Sequence, residues 1–246
     1  MKRDICGVLI DDLSKKQLLS RISDRLAEKK RTVIFTPNPI MARNAEKDRS
    51  FMRVLNSADY NIPDGSGIIL ASRLLNTPIP ERICGIELGE SLLHTAAKNS
   101  YKVFLFGGKE GVADLAAKRL CEKITGLSVC GTMNGYDHTP KEAVEAIARS
   151  GAQILYVCLG SPKQEKWIHE NMDKLGEVKL FMALGGSLDV WAGIIPRAPK
   201  PIRKIGFEWA WRMTLTPKKL KDLPKLVSFG ARTVAKGISD VVTMHK

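Results

Sequence analysis

The stretch YNIPDGSG (60–67) sets one carboxylate, Asp64, between a proline and a Gly-Ser-Gly turn. Asp followed by Gly is ordinary turn chemistry. The same constraint suits an acid held at the mouth of a cleft, because an aspartate near its usual pKa is ionised at neutral pH and can take a proton from an attacking hydroxyl. That reading asks for a cation to meet developing charge, and Arg82 in PERICGIE can supply it. Upstream, IFTPNP places Thr36 and Asn38 beside Pro37 and Pro39, which stiffen the backbone around them. Two rigid hydrogen-bonding side chains suit the orientation of a sugar; they equally suit a helix cap before IMARNAEKD.

Further candidates lie in glycine-rich turns. In FGGKEGVADLAAKRL, Gly107, Gly108 and Gly111 resemble a dinucleotide fingerprint without its full spacing, and no Lys–Ser/Thr pair follows to make a P-loop. Such a turn aims backbone N–H groups at whatever lies in front of it, and a diphosphate suits that place; a plain strand-to-helix turn does too. LGSPKQEKWI carries Lys163 and Gln164 in the first turn of an expected helix, where Gln can read a base or sugar edge or simply be a solvated helix start.

These motifs need elements to hold them. The runs TVIFTP (32–37), KVFLFGG (102–108), ILYVCLG (154–160) and VKLFMALGG (178–186) are short, apolar and nearly continuous, which predicts strands buried on both faces. Helical patterns lie between them, at 67–75, 85–100, 111–124, 140–151 and 162–175. The alternation predicts an α/β fold, Rossmann-like, with a mostly parallel sheet and helices on both faces. Ligands of such sheets bind beyond the carboxyl ends of the strands, which here read TPNP, FGGKEG, LGSPKQ and LGGSLD.

After Pro196 the texture changes, and two domains are expected: an α/β catalytic domain over 1–196 and a short, basic, amphipathic helical appendage over 197–246, broken near Pro217 and Pro224. Residues 197–246 hold twelve Lys/Arg against three acids, a net of +9, leaving +4 of the chain's +13 to the first 196 residues. So basic a tail calls for a polyanionic partner. Trp209 and Trp211 stand beside these cations, and indole favours the headgroup layer of a bilayer, so the tail is expected to touch a membrane surface. No stretch approaches the roughly 18 apolar residues of a bilayer span, and the N-terminus does not read as a secretory signal. The five cysteines form no CxxC and are expected to be buried thiols in a reducing cytosol; the four histidines show no metal-ligand spacing, so no metal site is expected.

Taken together, TPNP, PDGSGIILASRLL, R-x-CGIEL, FLFGGKEGVADLAAKRL, NGY, LGSPKQEKWI, LGGSLDVWAGIIPRAP and KIGFEWAWRM resemble the WecG/TagA/CpsF family of bacterial glycosyltransferases (glycosyltransferase family 26), in order from about residue 5 to residue 215. The resemblance is nearest to the TagA-type N-acetylmannosaminyltransferases. It implies an inverting transfer of N-acetylmannosamine or a related sugar from a UDP-sugar to an undecaprenyl-diphosphate-linked GlcNAc acceptor, in teichoic-acid-type wall or surface polysaccharide synthesis, at the cytoplasmic face of the membrane.

Carried over residue by residue, the resemblance implies Asp64 as general base, Thr36 and Asn38 as orienters of the donor sugar, and Arg82 as a stabiliser of charge at the reacting centre or diphosphate. Tyr136 and Gln164 would help hold the nucleotide, with Gly107, Gly108, Gly185, Gly186 and Asp189 in loops that face it. Arg203 and Arg212 would reach the acceptor diphosphate, and Trp209 and Trp211 the membrane. The sequence has no Asp-x-Asp metal pair, so no cofactor is expected and leaving-group charge would fall to cations and helix N-termini. A homo-oligomer is compatible with all of this. Two other classes stay open on the residues: an NAD(P)-dependent oxidoreductase of the same fold class, and a nucleic-acid-binding protein, which the pI near 9.6 invites although no nucleic-acid-reading motif occurs and no nucleic-acid partner is expected.

Overall fold

The computed structural model describes residues 1–204, 206–215 and 217–244, with the side chains of residues 204, 212, 217–219 and 240–244 outside that description. Among the described residues the strands are β1 (Lys2–Ile5), β2 (Val8–Asp11), β3 (Thr32–Phe35), β4 (Tyr60–Asn61), β5 (Lys102–Gly107), β6 (Ser128–Met133), β7 (Ile154–Cys158) and β8 (Leu180–Ala183). The chain forms two compact units: one from residues 1–15, 36–84 and 197–246, the other from 16–35 and 85–196. Residues 197–246 group with 1–15 and 36–84 in the first unit, and the expected 1–196 domain is shared between the two units.

The second unit carries the parallel sheet. Its five strands lie in the order β3-β8-β7-β5-β6, every neighbouring pair parallel. The sequence β5, β6, β7, β8 is joined by helices Val112–Lys123, Pro140–Ser150 and Lys163–Asn171, the crossovers that parallel neighbours require. Strands β3, β7 and β8 are buried at every residue, as their unbroken apolar runs predict. Strand β6, SVCGTM, was not among the expected strands; it lies at the sheet's edge, only half-buried, and lacks the apolar run that marks the others. Tyr156 ends its side chain on a real partner, donating to the Gly89 carbonyl at 2.8 Å while its ring stacks on Trp191.

The first unit is built from three separated pieces of chain. β1 and β2 form an antiparallel hairpin, turning at Cys6 and Gly7, both with positive φ. Helices Pro39–Lys47, Arg49–Asn56 and Ser66–Leu74 follow from the middle piece, and Lys200–Lys204, Glu208–Leu215 and Leu223–Met244 from the last. As expected, helical elements end and begin near Pro217 and Pro224; Pro224 lies in the first turn of the last helix, where its missing N–H has no helical partner to lose, and that helix runs 22 residues. This long helix buries Phe229 and Thr233 against helices Pro39–Lys47 and Ser66–Leu74. Arg43 donates to the Ser228 hydroxyl at 2.9 Å, Arg232 meets Glu46 at 3.4 Å, and Lys236 meets Asp4 at 3.6 Å.

All five cysteines are free thiols. Cys6, Cys84 and Cys158 are buried as expected, Cys130 is half-buried, and Cys121 is exposed, because its place on helix Val112–Lys123 faces away from the buried row Val112, Ala116 and Leu120.

Candidate active site

Thr36, Asn38, Asp64, Arg82 and Arg203 all belong to the first unit, and a chain of short contacts ties their segments together. Thr36 is the residue after β3 and is buried. Asn38 caps helix Pro39–Lys47, its side-chain oxygen accepting from the N–H of Ile40 at 3.0 Å and Met41 at 3.1 Å. Pro39 occupies the first helical position, where its fixed φ suits the helix. The helix-cap reading of Asn38 is therefore realised through its oxygen, and what remains for a ligand is the carboxamide NH2.

The Asp64 turn lies against this cap. The Asp64 N–H donates to the Pro37 carbonyl at 3.1 Å, and the Ile83 N–H donates to the Pro63 carbonyl at 3.2 Å. Two bonds thus fix the acid between TPNP and the arginine segment. Gly65 takes φ +101° as it enters helix Ser66–Leu74, a conformation that excludes ordinary side chains. Gly67 is needed for a different reason: a Cβ there would lie 2.5 Å from Pro39 Cγ. The Gly-Ser-Gly turn is therefore shaped by how closely it approaches the second proline of TPNP. Asp64 itself is half-buried, open enough to meet a substrate hydroxyl.

The same turn receives the C-terminal segment. Ser66 Oγ donates to the Gly206 carbonyl at 3.0 Å, and Arg82 Nη2 donates to the Arg203 carbonyl at 2.8 Å. Gly206 takes φ +80°, and a Cβ there would stand 2.7 Å from Ser66 Cβ. Next to it, Arg197 pairs with Glu208 at 3.3 Å. One guanidinium nitrogen of Arg82 thus latches the segment, leaving its other donors for charge at the site. Arg203 is half-buried on this segment; the side chain of Arg212 lies outside the described residues.

Trp209 and Trp211 are half-buried, with Trp209 stacked on the exposed Phe207. Apolar exposure in this unit falls mainly elsewhere: Leu220, Leu223, Val227, Val234 and Ile238 stand out along the last two helical elements, with Leu70 and Leu74 on helix Ser66–Leu74. Among the described residues no helix is long and apolar enough to cross a membrane.

The residues assigned to a nucleotide occupy the second unit, at the carboxyl ends of β5, β7 and β8 and in the loop after β6. Gly107 ends β5 with φ +130°, and a Cβ there would lie 2.3 Å from the Cys158 carbonyl oxygen. Gly108 then donates to that oxygen at 3.3 Å and accepts from the Gly135 N–H at 2.9 Å. The following Tyr136 is 68% exposed, its N–H held by Asn134 Oδ1. Gly185 and Gly186 follow β8, and Asp189 is half-buried in the short helix Ser187–Trp191.

Gln164 differs from the expected picture. It is 2% exposed and its polar atoms are used inside the protein. Its oxygen accepts from the N–H of Gly160 at 3.2 Å and of Gly185 at 2.9 Å, and its NH2 donates to Glu165 Oε1 at 2.7 Å. Gln164 thus joins the loops that follow β7 and β8. Glu165, which sequence reasoning passed over, is completely buried. Only the apolar neighbours Trp167 and Ile168 hinted that this face of the helix points inward. Burial pushes the Glu165 carboxyl above its ordinary 4.5, against the lowering pull of its hydrogen bond from Gln164. Among the described residues no three His, Cys, Asp or Glu side chains gather as a metal site would require.

The chain belongs to the WecG/TagA/CpsF family of glycosyl transferases, whose model matches residues 3–239. It is 35% identical over 196 residues to the N-acetylglucosaminyldiphosphoundecaprenol N-acetyl-beta-D-mannosaminyltransferase of Bacillus subtilis (strain 168), covering 78% of this chain and 76% of that protein. It is 33% identical over 232 residues to the protein of the same description in Staphylococcus aureus (strain MRSA252), covering 93% and 90%. The protein is a glycosyltransferase, and the oxidoreductase and nucleic-acid-binding alternatives give way to that assignment.

The raised pKa of Glu165 has a measurable sign. A carboxyl whose folded pKa exceeds its unfolded value contributes stability that is present below the unfolded pKa and lost as pH rises through the folded one. The isosteric Glu165→Gln has no proton to lose. Its Tm relative to wild type is expected to climb as pH is raised from about 4.5 to about 8; a difference that stays flat across that range in thermal melts contradicts the shift.

Proposed function

We propose that the protein transfers N-acetylmannosamine from a UDP-linked donor to an undecaprenyl-diphosphate-linked GlcNAc acceptor, with inversion, in the assembly of a teichoic-acid-type polymer. The relatives' activity supports the sugar and the acceptor. The observation that carries the catalytic part is the fixing of Asp64 between the Pro37 carbonyl and the Pro63–Ile83 bond, on the same unit as Arg82 and Arg203.

In this reading an acceptor hydroxyl attacks the anomeric carbon of the donor. The new C–O bond forms as the bond from that carbon to the β-phosphate oxygen breaks. UDP departs with the electron pair, and the hydroxyl proton passes to the Asp64 carboxylate. Thr36 and the Asn38 NH2 orient the sugar. Arg82 meets the negative charge that grows on the diphosphate, and Arg203 and Arg212 serve the acceptor diphosphate. On the second unit, Gly107, Gly108, Tyr136, Gly185, Gly186 and Asp189 hold the nucleotide, with Gln164 setting the loops. The reaction needs no metal in this account, because arginines and backbone N–H groups supply the positive charge.

The acceptor's polyprenyl tail stays in the bilayer, so the enzyme must come to it. We assign membrane contact, at the cytoplasmic face, to the first unit. Its cationic 197–246 segment and the exposed Val227, Val234 and Ile238 give a surface that is both basic and apolar.

Asp64→Asn is expected to lower kcat by about 10²–10⁴-fold on UDP-N-acetylmannosamine and a lipid-diphosphate-GlcNAc analogue, with UDP affinity unchanged; turnover near wild type would remove Asp64 from the role of base. Turnover in excess EDTA is expected to stay within about twofold of the untreated enzyme, as charge stabilisation by arginines and backbone N–H groups requires; a loss restored by Mn²⁺ or Mg²⁺ would refute metal independence. Cosedimentation with anionic vesicles is expected to be strong at about 0.05 M salt and to fall by about 0.5 M, as screened charges release the surface; equal binding to neutral vesicles would discount the cations.

A further inference from the structure

We propose that Glu165 is a positioning residue: its buried carboxyl fixes the sense of the Gln164 carboxamide, and through it the glycine loops after β7 and β8 in the geometry that receives the nucleotide. The inference rests on the reading above that these loops hold UDP.

The geometry is that of a clamp with one defined direction. A carboxamide can turn over, exchanging its oxygen and NH2 at almost no change in shape. Here the oxygen end must face two backbone donors, the N–H groups of Gly160 and Gly185. The opposite end must then find an acceptor, and because Gln164 is buried, water is not available to serve. Glu165 Oε1 is that acceptor, at 2.7 Å. Without it a buried NH2 is left unsatisfied, which favours movement of the carboxamide away from both loops.

Each loop has backbone bonds of its own, the Gln164 N–H to the Gly160 carbonyl at 3.0 Å and the Leu184 N–H to the Val157 carbonyl at 3.0 Å, and the Gln164 oxygen joins the one loop to the other. Gly160 and Gly185 both take positive φ, +78° and +49°, and a Cβ at either would meet nothing within 4 Å. They border open space, and side-chain packing does not hold them there. The Gln164 oxygen is the one atom that binds both N–H groups.

The chain buries a full carboxyl here; its Oε2 has no hydrogen-bond partner among the described residues, while the Ser161 side chain acts on the same carboxyl and lowers its pKa. Burial disfavours its charged form, as the upward shift of the carboxyl reflects. Such a locally unfavourable group, placed behind a ligand loop, is the pattern expected where binding geometry takes precedence over stability.

The test uses the full chain and UDP as probe. Glu165→Leu, similar in volume but without an acceptor, is expected to weaken UDP binding by calorimetry about tenfold and to raise the donor KM in parallel, with kcat per folded enzyme within about threefold. Glu165→Gln, which keeps an acceptor oxygen, is expected to restore both. In ¹H–¹⁵N spectra the Gly160 and Gly185 amide signals should move or broaden in the leucine variant and return in the glutamine variant. If the leucine variant does not fold, Glu165→Met, unbranched and of like length, takes its place; failure of both to fold would overturn the proposal, making Glu165 a folding determinant. Unchanged UDP affinity with unchanged glycine amides would overturn it as well, as would a loss confined to kcat. Wild-type protein that does not bind UDP would instead overturn the nucleotide reading, while the glycine amide signals would still decide whether Glu165 sets the loops.

Discussion

The candidate catalytic centre depends on how closely two rigid turns can approach. Pro39 stands where a methyl group on Gly67 would have to be, so TPNP and PDGSG meet at a distance only a bare α-carbon allows. That approach brings the Asp64 N–H onto the Pro37 carbonyl and sets the carboxylate on a backbone with few degrees of freedom. Proline restricts one side and glycine admits the other, and the backbone of the acid between them is fixed by its bond to Pro37. Ser66 and Arg82 then fasten the segment around Arg203–Gly206 by its carbonyls. The arrangement fixes the backbone of a half-open carboxylate, as the proposed role of general base would require.

How legible this was varied with the physical signal. Strands β3, β5, β7 and β8 announce themselves as unbroken apolar runs because both faces are covered, and their helices follow from the spacing of apolar residues. Strand β6 does not, since an edge strand keeps a polar, half-buried face. The hairpin β1–β2 is short, and its pairing is a matter of register, which no local pattern states. Pro224 could be read as a break, and a boundary between helical elements does fall beside it; what the sequence does not state is that the residue sits in the first turn of the next helix, where proline is permitted. Most of all, the grouping of residues 1–15, 36–84 and 197–246 into one unit arises from contacts between segments far apart in sequence.

For the site, the motif residues could be picked out but their partners could not. Asn38 proved to have its oxygen committed to a helix cap. Gln164 could be read as a nucleotide contact or as a solvated helix start, and its oxygen braces Gly160 and Gly185 internally. A polar side chain in the first turn of a helix looks the same in sequence whether it faces water or two loops. The neighbouring Glu165 carried no signal of its own, because glutamate at that position is the commonest of surface residues.

The composition of the first unit bears on how the chain comes to be folded at all. Its interior includes Met213 and Phe229 as well as Ile5 and Ile10, so that interior cannot close until synthesis has passed residue 229. The parallel sheet of the second unit is complete in sequence by residue 183. The nascent protein can therefore finish its sheet while the hairpin and the TPNP and PDGSG turns wait for the last basic helix. The half that carries Asp64 is thus the later to mature, and the turns around that acid are completed only once the basic end of the chain has itself been made.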